Sequence, residues 1–193
     1  GDAFPLQGLP GPVTTRTAPT VIARRPAART RVFNIEEVEL VFANGARRTY
    51  ERVLGSDEGA VLVAPVDKGD LYLVREYATG MDRYELTFVK GNVDAGEDVL
   101  SAADRELQEE IGRGARELEH LRSMTTAPGY LRHSTHVILA TGLYPSRRDG
   151  DEPEPLETIS WPLDNLDGLL EHPEFTDARS VAVALLLQRR LGR

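Results

Sequence analysis

The chain has 193 residues, 23 Lys+Arg against 31 Asp+Glu, a formal net charge of −8, 40% hydrophobic residues and a mean hydropathy of −0.34. It contains no Cys, which excludes a disulfide scaffold, a thiolate zinc site and a cysteine nucleophile. No run approaches the roughly 18 apolar residues of a membrane span, and the acidic balance opposes general nucleic-acid binding, which needs a basic surface; a soluble, cytoplasmic protein with neither membrane nor nucleic-acid partner is expected.

Charge is unevenly spread along the chain. Residues 1–31 hold Arg16, Arg24, Arg25, Arg29 and Arg31 against Asp2, which leaves a net −12 for the other 162 residues. This stretch also carries five of the twelve prolines (Pro5, Pro10, Pro12, Pro19 and Pro26) and no hydrophobic period. Residues 1–31 are therefore expected to form a flexible Pro/Arg-rich arm. An Arg-rich, acid-poor start also fits a transit peptide, but these prolines would break its amphipathic helix. Residues 32–56 predict an N-terminal β hairpin extension, with β segments at 32–35, 38–42 and 48–53 around the tight turn Asn44-Gly45.

The main domain is expected over residues 57–193. A strand pair is predicted at 60–66 and 71–77 around the turn Asp67-Lys68-Gly69-Asp70, with further strands at 84–89, 121–125, 135–140 and 158–161. A helix is predicted from Asp98 to Ile111 and a closing one from Ala178 to Leu191, with Asp177 as its N-cap. Mixed strands with two separated helices, and no βαβ alternation, predict an α+β, sandwich-like layered domain.

The 98–111 helix carries the chemistry. Leu100, Ala103, Leu107 and Ile111 share one arc, while Glu106, Glu109 and Glu110 share a neighbouring arc about 100° wide. Glu106 and Glu110 form an i,i+4 like-charge pair that costs a bare helix roughly 0.2–0.5 kcal/mol. Only Arg105 is placed to offset them, four residues before Glu109. Such a carboxylate cluster suits a hard divalent cation, Mg²⁺ or Mn²⁺, which takes oxygen ligands and cancels their repulsion. On the helix alone a metal site and a solvated acidic face stand level.

The preceding segment shifts that balance. Gly91-Asn92-Val93-Asp94-Ala95-Gly96-Glu97 is a glycine-bracketed loop feeding the helix, which then stops at Gly112. Gly91, Glu97 and the run Arg105-Glu106-Leu107-Gln108-Glu109-Glu110-Ile111-Gly112 together resemble the Nudix box, the loop-helix-loop signature of the Nudix hydrolases. Seven fixed identities coincide by chance at about 10⁻⁸ per starting position. One position departs: Arg113 stands where the box has an aliphatic residue, past the helix, where packing and not a ligand is affected.

The resemblance implies a Nudix α/β/α sandwich, a mixed β sheet with a catalytic loop-helix-loop. It also implies hydrolysis of a nucleoside diphosphate linked to another moiety by water attack on phosphorus with divalent metal. By match to the box, Glu106 and Glu110 ligate metal, Glu109 adds a ligand or orients water, and the carbonyl of Lys90 completes the shell. Arg105 pins Glu109, and Glu97 supports the loop or joins the shell. Order of elements and motifs from Arg31 onward resemble the ADP-ribose pyrophosphatase branch and, within it, the NudE-type ADP compounds hydrolases. The motifs are Arg47 to Arg52, Val74 to Ala78, Tyr84-Glu85-Leu86 and Gly150 to Leu156. Where ADP-ribose pyrophosphatases have Pro-Ala-Gly after the Tyr-Glu-Leu run, Thr87-Phe88-Val89-Lys90-Gly91 stands here, two residues longer. Ala78 stands where many of them have a substrate-binding arginine, so Arg75 or Arg48 is expected to meet the diphosphate.

The acidic, Pro-rich loop at 143–157 reads by itself as solvated surface. In this branch the corresponding loop supplies the glutamate that takes a proton from the attacking water; Glu152 is the better match and Glu154 the second. The branch also exchanges its hairpin within a homodimer and holds adenine with an aromatic residue and an arginine. Phe33 and Arg48 occupy those places, and Arg52 and Glu85 complete the expected substrate-binding set. The expected activity is metal-dependent cleavage of ADP-ribose, NADH or diadenosine polyphosphates with release of AMP. A Nudix-fold sensor that binds without cutting, and an enzyme acting on RNA caps or nucleoside triphosphates, are the alternatives.

Overall fold

Residues 54 onward build a sheet whose two faces are both apolar, because its central strands alternate side chains between two separate cores. The computed structural model describes residues 16–150 and 154–192 and divides the chain into two units, Gly1–Val53 and Leu54–Arg193. The sheet of the second unit has the order β11-β5-β4-β10-β8. These are β4 (Ala60–Asp67), β5 (Asp70–Ala78), β8 (Arg113–Met124), β10 (Thr135–Pro145) and β11 (Glu157–Pro162). β4 and β10 run parallel and β8, β5 and β11 pair antiparallel, so the sheet is mixed.

Along β4, Val61 and Val63 join Val89, Ala102, Ala103, Leu107, Ile138 and Ala140 in the core beneath helix α1 (Val99–Glu110). Leu62 and Ala64 point the other way, into a core shared with α2 (Leu166–Leu170) and α3 (Ala178–Arg190) through Leu169, Phe175, Val183, Ala184 and Leu187. This period of two gives the α/β/α layering expected of a Nudix sandwich. Both long helices start on an aspartate: Asp98 accepts from the N–H groups of Leu100 and Ser101 at 3.0 and 3.1 Å, and Asp177 from that of Ser180 at 3.1 Å. Strand β8 begins eight residues before its predicted start, since Arg116, Glu117 and Glu119 break the apolar run that periodicity needs.

The expected strand at 84–89 divides in two. β6 (Arg83–Thr87) pairs with β5, and β7 (Val89–Asn92) pairs with β4. Phe88 lies at the crossover, fully buried against Phe175 with the rings edge to face at 6.1 Å. That switch of partner carries Lys90 and Gly91 under α1.

In the first unit, β1 (Thr20–Arg29), β2 (Asn34–Val41) and β3 (Arg47–Leu54) lie in that order in one sheet. Residues 20–29 were expected within a flexible arm; they form a strand, antiparallel to β2. Thr20, Val21 and Ile22 favour extended backbone, Arg25 reaches Glu37 at 2.9 Å and Glu39 at 3.5 Å, and Pro26 is tolerated beside a bulge on an edge strand. Residues 1–15 of the expected arm lie outside the described residues. Val32 and Phe33, expected to open a strand, instead form the turn between β1 and β2, where the Phe33 N–H donates to Thr30 Oγ1 at 2.8 Å.

Candidate active site

Helix α1 ends where the box predicted. Ile111 caps it, and Gly112 follows at φ +65°, the left-handed conformation that glycine adopts without strain. At its far side Asp104 accepts from the Ala115 N–H at 3.0 Å and from Gln108 Nε2 at 2.6 Å, tying the helix to the start of β8. Arg113, the residue that departs from the box, places its guanidinium over the Tyr72 ring at 5.7 Å.

Glu106, Glu109 and Glu110 all line one cavity of about 780 Å³. Its wall also includes Lys90, Gly91, Arg105, Arg147, Arg148 and Glu154. Arg105 forks among the acids: it reaches Glu106 at 2.6 Å, Glu109 at 3.1 Å, both oxygens of Glu97 at 3.0 and 2.9 Å, and the Asn92 carbonyl at 2.9 Å. Glu97 in turn accepts the Asp94 N–H at 3.0 Å, and the Arg105 guanidinium holds its carboxyl below the usual range. Glu97 thus braces the loop into the helix.

Gly91 is required by contact: a Cβ there would overlap the Glu106 carboxylate. Glu110 is electrostatically strained. Burial pushes its carboxyl up to about 8, Glu106 and Glu76 add to the rise, and Lys90 opposes it through its charge and through its N–H at 3.4 Å. The Lys90 ammonium is itself paired with Glu76.

Among the described residues no three of these carboxylates are gathered as a ready metal-binding group, since Arg105 engages Glu106 and Glu109; the donor type is nonetheless the one a hard divalent cation takes. Three carboxylates line the cavity, and desolvated Glu110 disfavours bare negative charge that such a cation would neutralise.

Three expected site residues of this unit, Glu97, Arg75 and Glu85, do not line the cavity; Glu97 is engaged by Arg105 instead. Arg75 is engaged by Glu174 at 2.9 and 2.7 Å and by Glu157 at 3.5 Å. Glu85 is buried, accepting from Arg83 at 2.6 Å and from Thr176 Oγ1 at 2.8 Å; burial alone would raise its carboxyl, and these bonds bring it below the ordinary value. Phe33, Arg48 and Arg52 belong to the first unit. Phe33 is 56% exposed, Arg48 donates to the Arg47 carbonyl at 2.7 Å, and Arg52 is held by Glu36 at 2.6 Å. Glu152 lies outside the described residues, while Glu154 lines the cavity and accepts a hydrogen bond from Tyr84 Oη at 3.0 Å.

Sequence reasoning overlooked Gln108, Arg147 and Arg148. Gln108 accepts from Ser146 Oγ at 2.9 Å through its side chain and from the Arg148 N–H at 3.2 Å through its carbonyl, fastening the loop after β10 to α1. Among the described residues neither Arg147 nor Arg148 makes a salt bridge. The pair Arg147-Arg148 in an otherwise acidic loop was the available signal.

The family models agree with this architecture: a NudE-type Nudix hydrolase N-terminal domain matches residues 19–52 and a NUDIX domain matches residues 57–190. The chain is 44% identical to the ADP compounds hydrolase NudE of Escherichia coli (strain K12) over 90% of its own length and 93% of the relative's. It is 31% identical to an ADP-ribose pyrophosphatase of Bacillus subtilis (strain 168), over 80% and 83% of the two chains. Among solved structures, a crystal structure of an ADP compounds hydrolase superposes with a TM-score of 0.87 at 42% identity, covering 93% of this chain and 97% of that one. With its box carboxylates gathered at one cavity and both models matched in order, the chain belongs to the Nudix hydrolases and carries their NudE-type N-terminal domain.

Proposed function

We propose that this enzyme hydrolyses the diphosphate bond of ADP-linked compounds such as ADP-ribose, NADH and diadenosine polyphosphates, releasing AMP, with Mg²⁺ or Mn²⁺ as cofactor. The observation that carries this reading is the cavity itself, where Glu106, Glu109 and Glu110 meet Arg147 and Arg148. A diphosphate brought to these glutamates alone would be repelled. Relatives named for ADP compounds and ADP-ribose support the substrate class.

Glu106, Glu110, Glu109 and the Lys90 carbonyl are the groups that would hold the cation. When bound, a divalent cation lowers the pKa of coordinated water and neutralises charge on phosphoryl oxygens. Arg105 orients Glu106 and Glu109, and Glu97 keeps Arg105 in register. Arg147 and Arg148 offer guanidinium donors to phosphate oxygens. Glu154, or Glu152 on the same loop, takes the proton of the attacking water. Phe33 and Arg48 hold the adenine end, with Arg52 set by Glu36. A homodimer joined through the first unit is part of this reading, supported by the exposed apolar side chains Val21, Ile22, Val32, Phe33 and Tyr50. A cytoplasmic location, where ADP-linked metabolites are made and used, is also part of it; among the described residues no helix is long and apolar enough to cross a membrane.

The test is to incubate the protein with Mg²⁺ and a panel of ADP-linked compounds and to measure AMP. Release of AMP from at least one of them is the expected result. No turnover of any of them overturns the assignment, and full activity in Glu110→Gln overturns the place given to Glu110 in the mechanism.

A further inference from the structure

Tyr84 stands on β6, and its hydroxyl bonds to a residue seventy positions away, Glu154 in the cavity wall, at 3.0 Å. The ring is fixed from two sides. The Arg75 guanidinium lies over it at 5.1 Å, and Tyr77 meets it edge to face at 5.5 Å. Arg75 is immobilised by Glu174 and by Glu157, the first residue of β11. A cation stacked on the phenol, itself held by two carboxylates, favours one orientation of this 40% exposed ring and so directs its hydroxyl to Glu154. The bond to Glu154 also raises the Tyr84 hydroxyl above its ordinary value of 10.0, as an anionic acceptor must.

We propose that Tyr84 is a positioning residue for the hydrolysis, fixing the Glu154 carboxylate at the cavity lined by Glu106, Glu109 and Glu110. The inference rests on the reading above in which the loop carrying Glu154 serves the reaction. It assigns Arg75 a different task from the expected diphosphate contact: Arg75 clamps the ring that holds Glu154. A carboxylate on an exposed loop samples many rotamers, and one charge-assisted hydrogen bond from a rigid donor selects among them.

Tyr84→Phe keeps the ring, its stacking and its edge contact, and removes only the donor. It is expected to lower kcat about tenfold, the size of one hydrogen bond to a charged group, while KM for ADP-ribose and the melting temperature hold. In a Glu154→Ala background the same substitution is expected to cost nothing further, because the group it positions is gone. NMR titration of the Tyr84 ring carbons supplies a readout independent of turnover: Glu154→Ala should bring the phenol midpoint down towards 10.0. Wild-type kcat in Tyr84→Phe, a loss of equal size in the Glu154→Ala background, or a phenol midpoint indifferent to Glu154→Ala each overturns the proposal. A wild-type protein that releases no AMP overturns the functional reading as well, whereas AMP release with an unaffected Tyr84→Phe overturns the positioning role alone.

Discussion

On the α1 side of the cavity the carboxylates are tied to a fixed frame, Arg105 bridging Glu97, Glu106 and Glu109, and half-buried Glu110 accepting from the Lys90 N–H. On the loop side, Arg147, Arg148, Asp149 and Gly150 are exposed, and Glu154 depends on one hydrogen bond from Tyr84. The difference teaches that the two halves of the reaction have different tolerances. Under the proposed function, holding a divalent cation demands oxygen atoms placed to a few tenths of an ångström. Receiving substrates that differ beyond the diphosphate demands a side that adjusts. In that reading α1 serves the first need, and the polar loop serves the second while also presenting Glu154, which Tyr84 holds.

The sharpest way to break this comparison is to alter the rigid side. Glu110→Gln is expected to reduce AMP release more than a hundredfold at saturating Mg²⁺, beyond the 10–100-fold typical of residues that merely orient ligands. The same variant should stabilise the metal-free protein at alkaline pH. Unfolded, a glutamate releases its proton near 4.5; folded, Glu110 keeps it to about 8. Across that window the folded state binds the extra proton, so stability is fully present below 4.5 and falls as pH rises to about 8. Melting temperature measured without metal from pH 5 to 8 should drop more steeply in wild type than in Glu110→Gln, by the equivalent of a few kcal/mol. Equal slopes would show that Glu110 is not the desolvated group of this side.

Arg105 comes next. Arg105→Ala should cost 10–100-fold in activity by releasing Glu106 and Glu109. Arg105→Lys should recover little, because one ammonium cannot fork among Glu97, Glu106, Glu109 and the Asn92 carbonyl. Full activity in Arg105→Lys would mean that the charge, and not the fork, is what the helix needs.

The same division explains what was legible in the sequence. The α1 side is local, with Gly91, Glu97 and the run 105–112 close in the chain, so spacing alone reveals which side chains share a face. The start of the closing helix was readable from its cap Asp177, because capping is a one-turn interaction, whereas Asp98, placed inside the predicted helix, is the cap of α1. The loop side is assembled from distant residues: Tyr84 meets Glu154, and Gln108 meets Ser146 and Arg148. No periodicity announces such pairs. Arg75 was expected at the substrate in place of the arginine missing at Ala78, and Glu85 through the Tyr84-Glu85-Leu86 motif, but Glu174, Glu157, Arg83 and Thr176 claim them. β1 escaped notice for a related reason, since its Arg-rich, Pro-containing run becomes a strand only beside Glu37 and Glu39 of β2.

The smallest effects are expected on the loop side. Arg147 and Arg148 are exposed, so each guanidinium's attraction for a phosphate is weakened by water and salt. Arg147→Ala and Arg148→Ala should each raise KM about two- to fivefold and leave kcat near wild type, since a flexible, solvated donor binds the ground state and the transition state alike. Their influence should shrink as ionic strength rises and grow with the number of phosphates in the substrate, because each added anion meets the same two cations. Kinetics with ADP-ribose and with a diadenosine polyphosphate at low and high salt reads both trends. A hundredfold loss of kcat in either variant, unchanged by salt, would place that arginine among the fixed catalytic groups and remove the distinction between the two sides.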